Sequence, residues 1–598
     1  MKKYIKYMTA TLLAVNFTAC SGFLDKEVDL TLGAEDVFDK AENTRGLLAN
    51  IYTYLPDAFV GYTDGQYRGA SRDCMTDNAI SFWNVHYYHS VLRDSYDATN
   101  HQFANYFWSR DFQAIRAANN FLTYAKESVI GNEETNDDNN RLYDRNMAEA
   151  RFLRAIFHFD LVSYFGAIPI VGDDAEGNPI IFETTNTEAM NQPRTPAAEA
   201  LQWIADECDK IKDVLPFRYA QEELNWGRVN GASAYALKAR ALLYKASPLN
   251  NPSNDQSQWE AAAEAALDFI RKNATQSNPY RLYDIGDPEQ NYYQCFVSTP
   301  HLNNEYILSR SEWQTRAIEE FLAPCGFSGS ANSTGRTNPT QNLVDSYETI
   351  NGLPIDQDPS YDPQNPYVNR DPRLEQTILH HGSIWGDPEQ EEERMVDITY
   401  GTGLDYQELH GGTVTGYYTK KFLNNMSWKS PTTYTHACPI FRYAEVLLNA
   451  AEALNEAGRT SEAYEYVNQV RARVGMPAYS NMTQDKLRER IRNERRIELC
   501  FEDHRFFDER RWKLFEGVTA ASEQNKPYYQ QVYNLYGVQI TPNAGTVYNY
   551  GYSETYTSRA FNSPKNYYFP IPDDEVKRLP NLGQNSGWEL TATSTEAN

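Results

Sequence analysis

The stretch IFRYAEVLLNAAEALNEAGRTSEAYEYVNQVRARVGMP, Ile440 to Pro477, decides how the chain is read. Leu447, Ala451 and Leu454 recur at helical spacing, and Ala463, Val467 and Val470 repeat the pattern after Gly458. Gly458 ends the first helix and Gly475-Met476-Pro477 ends the second, because Gly accepts the left-handed cap and Pro cannot continue a helix. Small side chains at Ala451 and Ala463 let two antiparallel helices approach closely. These are the offsets of a tetratricopeptide unit.

Such a unit cannot bury its apolar face alone, and the chain supplies neighbours. Thr44, Leu47, Leu48, Ile51 and Leu55 share one helical face; Trp108, Phe112, Ile115 and Leu122 form a second. Ala148, Phe152, Ala155, Phe159 and Val162 form a third, which Gly166 stops. Tyr235, Ala239, Leu242 and Ala246, then Trp259, Ala262, Ala263, Ala266 and Phe269, make another small-residue pair. Helical signatures of this kind continue, with interruptions, to the end of the chain. From Asn278 to Pro439 the periodicity fades and Gly, Pro, Asn, Tyr and Asp dominate. A stretch of that length folds back on the helices and carries binding loops rather than acting as a linker. The prediction is a mainly α protein: an irregular tetratricopeptide-like helical-repeat scaffold with a long, loop-rich, ligand-binding insertion. Its divisions are a signal peptide at 1–19, a helical scaffold at 20–277, the insertion at 278–439, and a C-terminal helical pair with its closing segment at 440–598, packed with the first scaffold.

The N-terminus begins with Lys2, Lys3 and Lys6, followed by a short apolar run from Met8 to Ala19, a secretory signal too short to span a bilayer. With 598 residues, 41% hydrophobic and 23% charged, the chain can bury a large core. Its formal net charge of −26 argues against a nucleic-acid partner held through phosphates, and it disfavours polyanionic substrates unless a local basic patch intervenes. Six cysteines follow Cys20 without any C-x-x-C spacing, so no zinc or redox motif is present. They read as small buried hydrophobes, with a Cys295–Cys325 bridge left open. Aromatic usage is unusual: 43 Tyr and 10 Trp beside 27 Phe, at a mean hydropathy of −0.66. Tyr and Trp offer an apolar face and one polar handle, suited both to half-wet binding surfaces and to partly exposed packing.

Downstream of the helical pair runs LRERIRNERRIELCFEDHRFFDERRW, Leu487 to Trp512. Leu487, Ile491, Glu494, Glu498 and Phe501 share one face, which sets two acids on an apolar stripe. Acids so placed need cationic partners, and Arg442, Arg495, Arg505 and Arg510 are the candidates. Such partners keep both carboxylates ionised and so argue against a general acid. This segment, RYAEVLLNAAEA at 442–453, PTQNLVDSYE at 339–348, NRDPRL at 369–374, FPIP at 569–572 and Gln584-Asn585 together resemble the SusD/RagB family of outer-membrane nutrient-binding lipoproteins. Phe17-Thr18-Ala19-Cys20 is similar to a lipobox, with Phe17 where Leu is usual, and Asp25, Glu27 and Asp29 follow as in surface-exposed lipoproteins. The resemblance runs through essentially the whole chain.

It implies a protein lipid-anchored at Cys20 to the outer membrane and facing the exterior. Such a protein would capture oligosaccharides for a SusC-like TonB-dependent transporter, with no catalysis. Some relatives handle peptides, which keeps a second cargo open, and a secreted glycoside hydrolase is the third reading, since two carboxylates suffice for one. No H-E-x-x-H, G-x-S-x-G, G-x-x-x-x-G-K-[ST] or G-x-G-x-x-G occurs. His410-Gly411-Gly412 has no nucleophile elbow to serve; His86, His89 and His101 read as hydrogen-bonding residues rather than metal ligands, and His504 as structural. No cofactor is required, although the acidic loops leave room for a structural Ca²⁺.

Sugars are gripped by aromatic faces with amides, carboxylates and Arg on the hydroxyls. Two segments offer that mixture. Asp77, Asn78, Trp83, Tyr87 and Tyr88 lie between helices, and Tyr306, Arg310 and Trp313 open the irregular region, with Asn332 and Arg336 beyond. The resemblance places ligand-contacting aromatics in these neighbourhoods, with Trp83 and Trp313 as platforms. Trp385, Tyr417-Tyr418 and Trp428 are alternatives, and burial against the scaffold is the competing reading for every Trp.

Overall fold

A computed structural model describes residues 37–59, 70–81, 86–131, 141–182, 186–327, 335–408, 411–542, 548–556 and 559–589. The predicted stripes become long helices: α1 (Ala41–Tyr52), α2 (Gln102–Tyr124), α3 (Leu142–Phe165), α4 (Ala197–Ile211), α5 (Gly231–Ala246) and α6 (Gln256–Ala274). After the insertion come α7 (Tyr443–Glu456), α8 (Thr460–Arg473), α9 (Gln484–Glu498) and α10 (Arg505–Arg511). From α1 to α7 each helix packs on the next in sequence, and α8 and α9 both pack on α7, the side-by-side stacking expected of a helical repeat. The fold is mainly α and tetratricopeptide-like, as the sequence predicts.

The deciding pair forms as expected. Ala451 and Ala463 are both fully buried where the two helices pack. Gly458 and Gly475 adopt φ of +79° and +73° just past the ends of α7 and α8, a region L side chains avoid. A closer approach occurs where α5 starts. A Cβ on Gly231 would lie 2.6 Å from the Lys212 carbonyl oxygen and 2.9 Å from that of Leu215, both rigid backbone. Gly231→Ala is therefore expected to cost about 1–3 kcal/mol through overpacking, despite the better helix propensity of Ala, as a lowered denaturant midpoint would show.

The insertion enters through β1 (Tyr306–Thr315), which pairs antiparallel with β2 (Tyr434–Arg442), and β2 runs directly into α7. Between them lie turns, short helices such as Arg373–Thr377, and two-residue ladders such as Ile378–Leu379 with Tyr418–Thr419. The hydrophobic core that contains the helical stripes also takes in Tyr292, Leu343, Ile378 and Trp385 from this stretch. Beyond α10 helices continue only as short segments such as Ala520–Glu523 and Asp573–Arg578. There the chain forms a hairpin, β3 (Leu535–Pro542) and β4 (Tyr548–Tyr556), because β-branched and aromatic residues alternate there and suit a half-buried pleat. Among the described residues no helix is long and apolar enough to cross a membrane. The signal segment and Cys20 lie outside the described residues. The other six cysteines are buried and none is in a disulfide, so the Cys295–Cys325 bridge does not form: Cys295 takes a bond from Asn303, and the Cys325 thiol faces the Leu404 carbonyl oxygen and the Tyr418 hydroxyl.

Candidate functional site

The acid stripe of α9 is the electrostatic centre of the molecule. Thr483 caps its N-terminus through Lys486 N, and Leu487, Ile491, Glu494 and Glu498 are all buried. Glu498 receives Arg473 at 2.6 and 2.7 Å, Arg442 at 2.7 Å and Arg373 at 3.0 Å. Glu494 takes Arg373 at 2.6 Å and Arg471 at 2.9 Å. The same guanidinium groups extend to Glu305, Glu348, Asp371 and Glu502, with Lys421 at 2.6 Å from Glu502 and Arg490 at 2.8 Å from Glu348. Six buried acids thus face six buried bases, and the network is charge-balanced. Burial raises the Glu498 carboxyl, but Arg473, Arg442 and Arg373 outweigh it and hold the group far below the usual carboxylate range. A residue so held is a permanent anion, which suits structure and not proton donation.

Of the four candidate partners, Arg442 alone reaches Glu498. Arg495 binds Asp508 at 2.9 Å, Arg505 binds Asp77, and Arg510 lies on the Phe506 ring. The partners that sequence reading missed are Arg373, Arg471 and Arg473. A signal for the first was present in the 369–374 string.

Asp77 and Asn78 are turned into the interior and away from any open surface. Both are fully buried in the turn after a 3₁₀ segment at Arg72–Met75. Asp77 takes a two-pronged bond from Arg505 at 2.6 and 2.7 Å and lies 3.2 Å from Arg496, while Asn78 accepts from Arg496 and donates to Asp73. Burial raises the Asp77 carboxyl, yet Arg496 and Arg505 prevail and keep it well below its ordinary value. Asp73 shows the opposite balance: burial pushes it up to about 7 against bonds from Asn78 and the Phe501 backbone. Tyr88 is likewise buried, stacked on Phe103 at 5.6 Å with its hydroxyl on the Ala70 carbonyl. Tyr87 is half-buried against the edge of the same ring. These side chains fasten both ends of the segment that carries Trp83, which itself lies outside the described residues. The ladder of Ala79–Ile80 with Asn338–Pro339 adds a third fastening.

On β1, Tyr306 is buried and its hydroxyl has no partner among the described residues. Arg310, opposite Cys438 in the ladder, keeps a third of its side chain exposed and donates to the Leu55 carbonyl at 2.9 Å, with Asp57 3.7 Å away. Arg72 donates to the Asp57 carbonyl at 3.1 Å, so Asp57 ties Arg310 to the 3₁₀ segment that precedes Asp77. The backbone of Trp313 lies where the register shifts between Tyr434 and His436; its side chain is outside the described set, as are Asn332 and His410. Of the alternative platforms, Trp385, Tyr417 and Tyr418 are buried and only Trp428 is partly open. His101 is packed between Tyr96 and Phe569, and burial pushes it down to about 3. His504, desolvated beside Arg495, is also lowered well below its ordinary value. Among the described residues no three His, Cys, Asp or Glu converge to hold a metal.

Comparison with known proteins places these features in context. The SusD family model matches residues 259–588, and a model described as "Starch-binding associating with outer membrane" matches residues 22–243. SusD-like protein P2 of Formosa agariphila is 26% identical over 502 residues, 80% of this chain and 79% of its own. A SusD-like protein of Bacteroides fragilis superposes with a TM-score of 0.71 at 24% identity, over 92% of this chain and 98% of that one. A SusD-like carbohydrate binding protein of the same species gives 0.65 at 26% identity, over 92% and 100%.

Proposed function

Because the chain belongs to the SusD family, whose model spans more than half of it, we propose that it is a non-catalytic glycan-binding protein of the outer membrane. In this reading Cys20 carries the lipid anchor, the scaffold faces the exterior, and captured oligosaccharide passes to a SusC-like TonB-dependent transporter. The division at 20–277, 278–439 and 440–598 belongs to the same proposal. The observation that carries it is the match of the starch-binding, outer-membrane family model to residues 22–243, followed by that of the SusD model to residues 259–588. The charge chemistry supports the absence of catalysis: the paired acids of the signature helix are locked in guanidinium bonds. The binding surface is assigned to the two predicted segments, with Trp83 and Trp313 as platforms and Arg310 and Tyr87 beside them.

A glycan and peptide array on protein beginning at Ser21 tests this. Oligosaccharide retention without release of reducing ends is the expected outcome; turnover, or binding of peptides alone, refutes it. Trp83→Ala with Trp313→Ala is expected to abolish retardation in a glycan-loaded gel, since the large apolar faces on which the sugar rings would stack are removed. Unchanged migration would reject those two platforms.

A further inference from the structure

A cavity of about 290 Å³ opens on the far side of α9 from its acid stripe, bounded by the turn at 345–354 and the segment from Trp512 to Gln530. Four arginines line it: Arg490, Arg492, Arg496 and Arg505. In a chain of net charge −26 such a concentration calls for a charge account. Arg490 is neutralised by Glu348 at 2.8 Å, and Arg496 and Arg505 share Asp77 at 3.2 and 2.6 Å. Arg492 has no such partner. Among the described residues it makes no hydrogen bond or ion pair, its Nε is buried without an acceptor, and its guanidinium lies 4.9 Å from the Trp512 ring centre.

The acids nearest to it on α7 are committed elsewhere. Glu452 takes Arg511 at 2.5 and 2.8 Å and the Trp512 indole at 2.7 Å, while Glu456 takes Arg488 at 2.5 and 2.7 Å. The acids in the cavity wall are also occupied: Glu348 holds Arg471, Arg490 and Tyr479, Glu489 holds Lys486, and Asp345 accepts from Gln341. Burial depresses Arg492 to about 10, the direction expected of a cation with too few counter-charges. A planar fork of donors that faces a cavity and has no carboxylate bonded to it is matched by an oxyanion. The volume sits at the lower limit of about 300 Å³ for ligand pockets, room for one sugar ring and not for a run of them.

We propose that this cavity binds one acidic sugar unit, its carboxylate or sulfate ester held by Arg492 and its ring lodged against the Trp512–Gln530 wall. The sugar half of this proposal rests on the glycan-binding reading; the anion half rests on Arg492 alone.

The test is calorimetric titration of protein beginning at Ser21 with D-glucuronate and glucose 6-sulfate, with glucose as the neutral control and acetate and sulfate as free anions. The acidic sugars are expected to bind at least about tenfold more tightly than glucose, and to weaken as salt rises from about 0.05 to 0.5 M. Arg492→Gln should cost about tenfold for the acidic sugars while its melting temperature stays at or above the parent value, because an uncompensated buried charge is removed. Equal affinity in Arg492→Gln, or equal affinity for glucose, overturns the site. Acetate and sulfate binding as tightly as the acidic sugars overturns the sugar half alone. A blank glycan array beside retained, Arg492-dependent glucuronate binding would reject the general function and leave this site standing.

Discussion

Glu498→Ala lowers the stability of the protein by about 3–5 kcal/mol, the scale measured when one member of a buried ion pair is removed. The expectation follows from what is left behind. Arg473 loses both of its Glu498 contacts and retains Glu305 at 3.1 Å, Arg442 loses its 2.7 Å contact, and Arg373 keeps Glu494 and Asp371. Six acids against six bases becomes five against six, with the surplus cation sealed from water. Exposed pairs such as Arg271 with Glu264 belong to a different class, for which about 0–1 kcal/mol is usual. Guanidinium unfolding of Glu498→Ala beside Glu289→Ala, an exposed acid with no side-chain bond among the described residues, measures the contrast. Pairing Glu498→Ala with Arg473→Met should recover part of the loss, and a double variant no better than the single one would contradict the charge-balance argument.

Glu452→Gln carries the second large effect, and its pH dependence has a definite sign. Although burial raises the Glu452 carboxyl, Arg511 bound through both nitrogens and the Trp512 indole bring it down to about 2 from an ordinary 4.5. A folded-state value below the unfolded one means stability that is fully present above pH 4.5 and lost as pH falls towards 2. A shift of that size corresponds to about 3 kcal/mol. Glu452→Gln should therefore melt well below the parent at pH 7, with the gap closing as both are taken from pH 4.5 to pH 2. A gap that does not change with pH would assign the loss to packing and not to charge.

The helices were legible because a buried stripe at 3.6-residue spacing is written locally: Ala451 and Ala463, or Phe152 and Phe159, announce their faces without knowledge of the rest of the fold. The partners of the α9 acids were not. Local sequence shows that Glu494 and Glu498 must be neutralised, but which cations do so depends on folding that brings residues 373, 442, 471 and 473 to one place. Asp77 and Asn78 were misread for a related reason. Amides and acids beside aromatics have the same composition whether they line a sugar site or form a buried turn clamped by Arg496 and Arg505. Arg310 escaped that ambiguity in part, since an edge position on β1 leaves it a third exposed. The unpartnered Arg492 could not be seen in the sequence, where it is one of many arginines in a single helix.

The charge network also bears on how the insertion comes to rest. Glu305, Glu348, Arg373 and Lys421 all belong to the irregular stretch, and they pair with charges between Arg442 and Glu502, on or beside the helices that follow it. Greasy contacts tolerate a loop that settles one residue out of place, but a carboxylate enclosed without its guanidinium does not. A misaligned insertion would keep its charges in water and stay undocked, while the aligned one is sealed by several bonds at once. The network thus works as a combination lock on assembly. The lock uses few of the insertion's residues, and the exposed loop tips between them take no part in it.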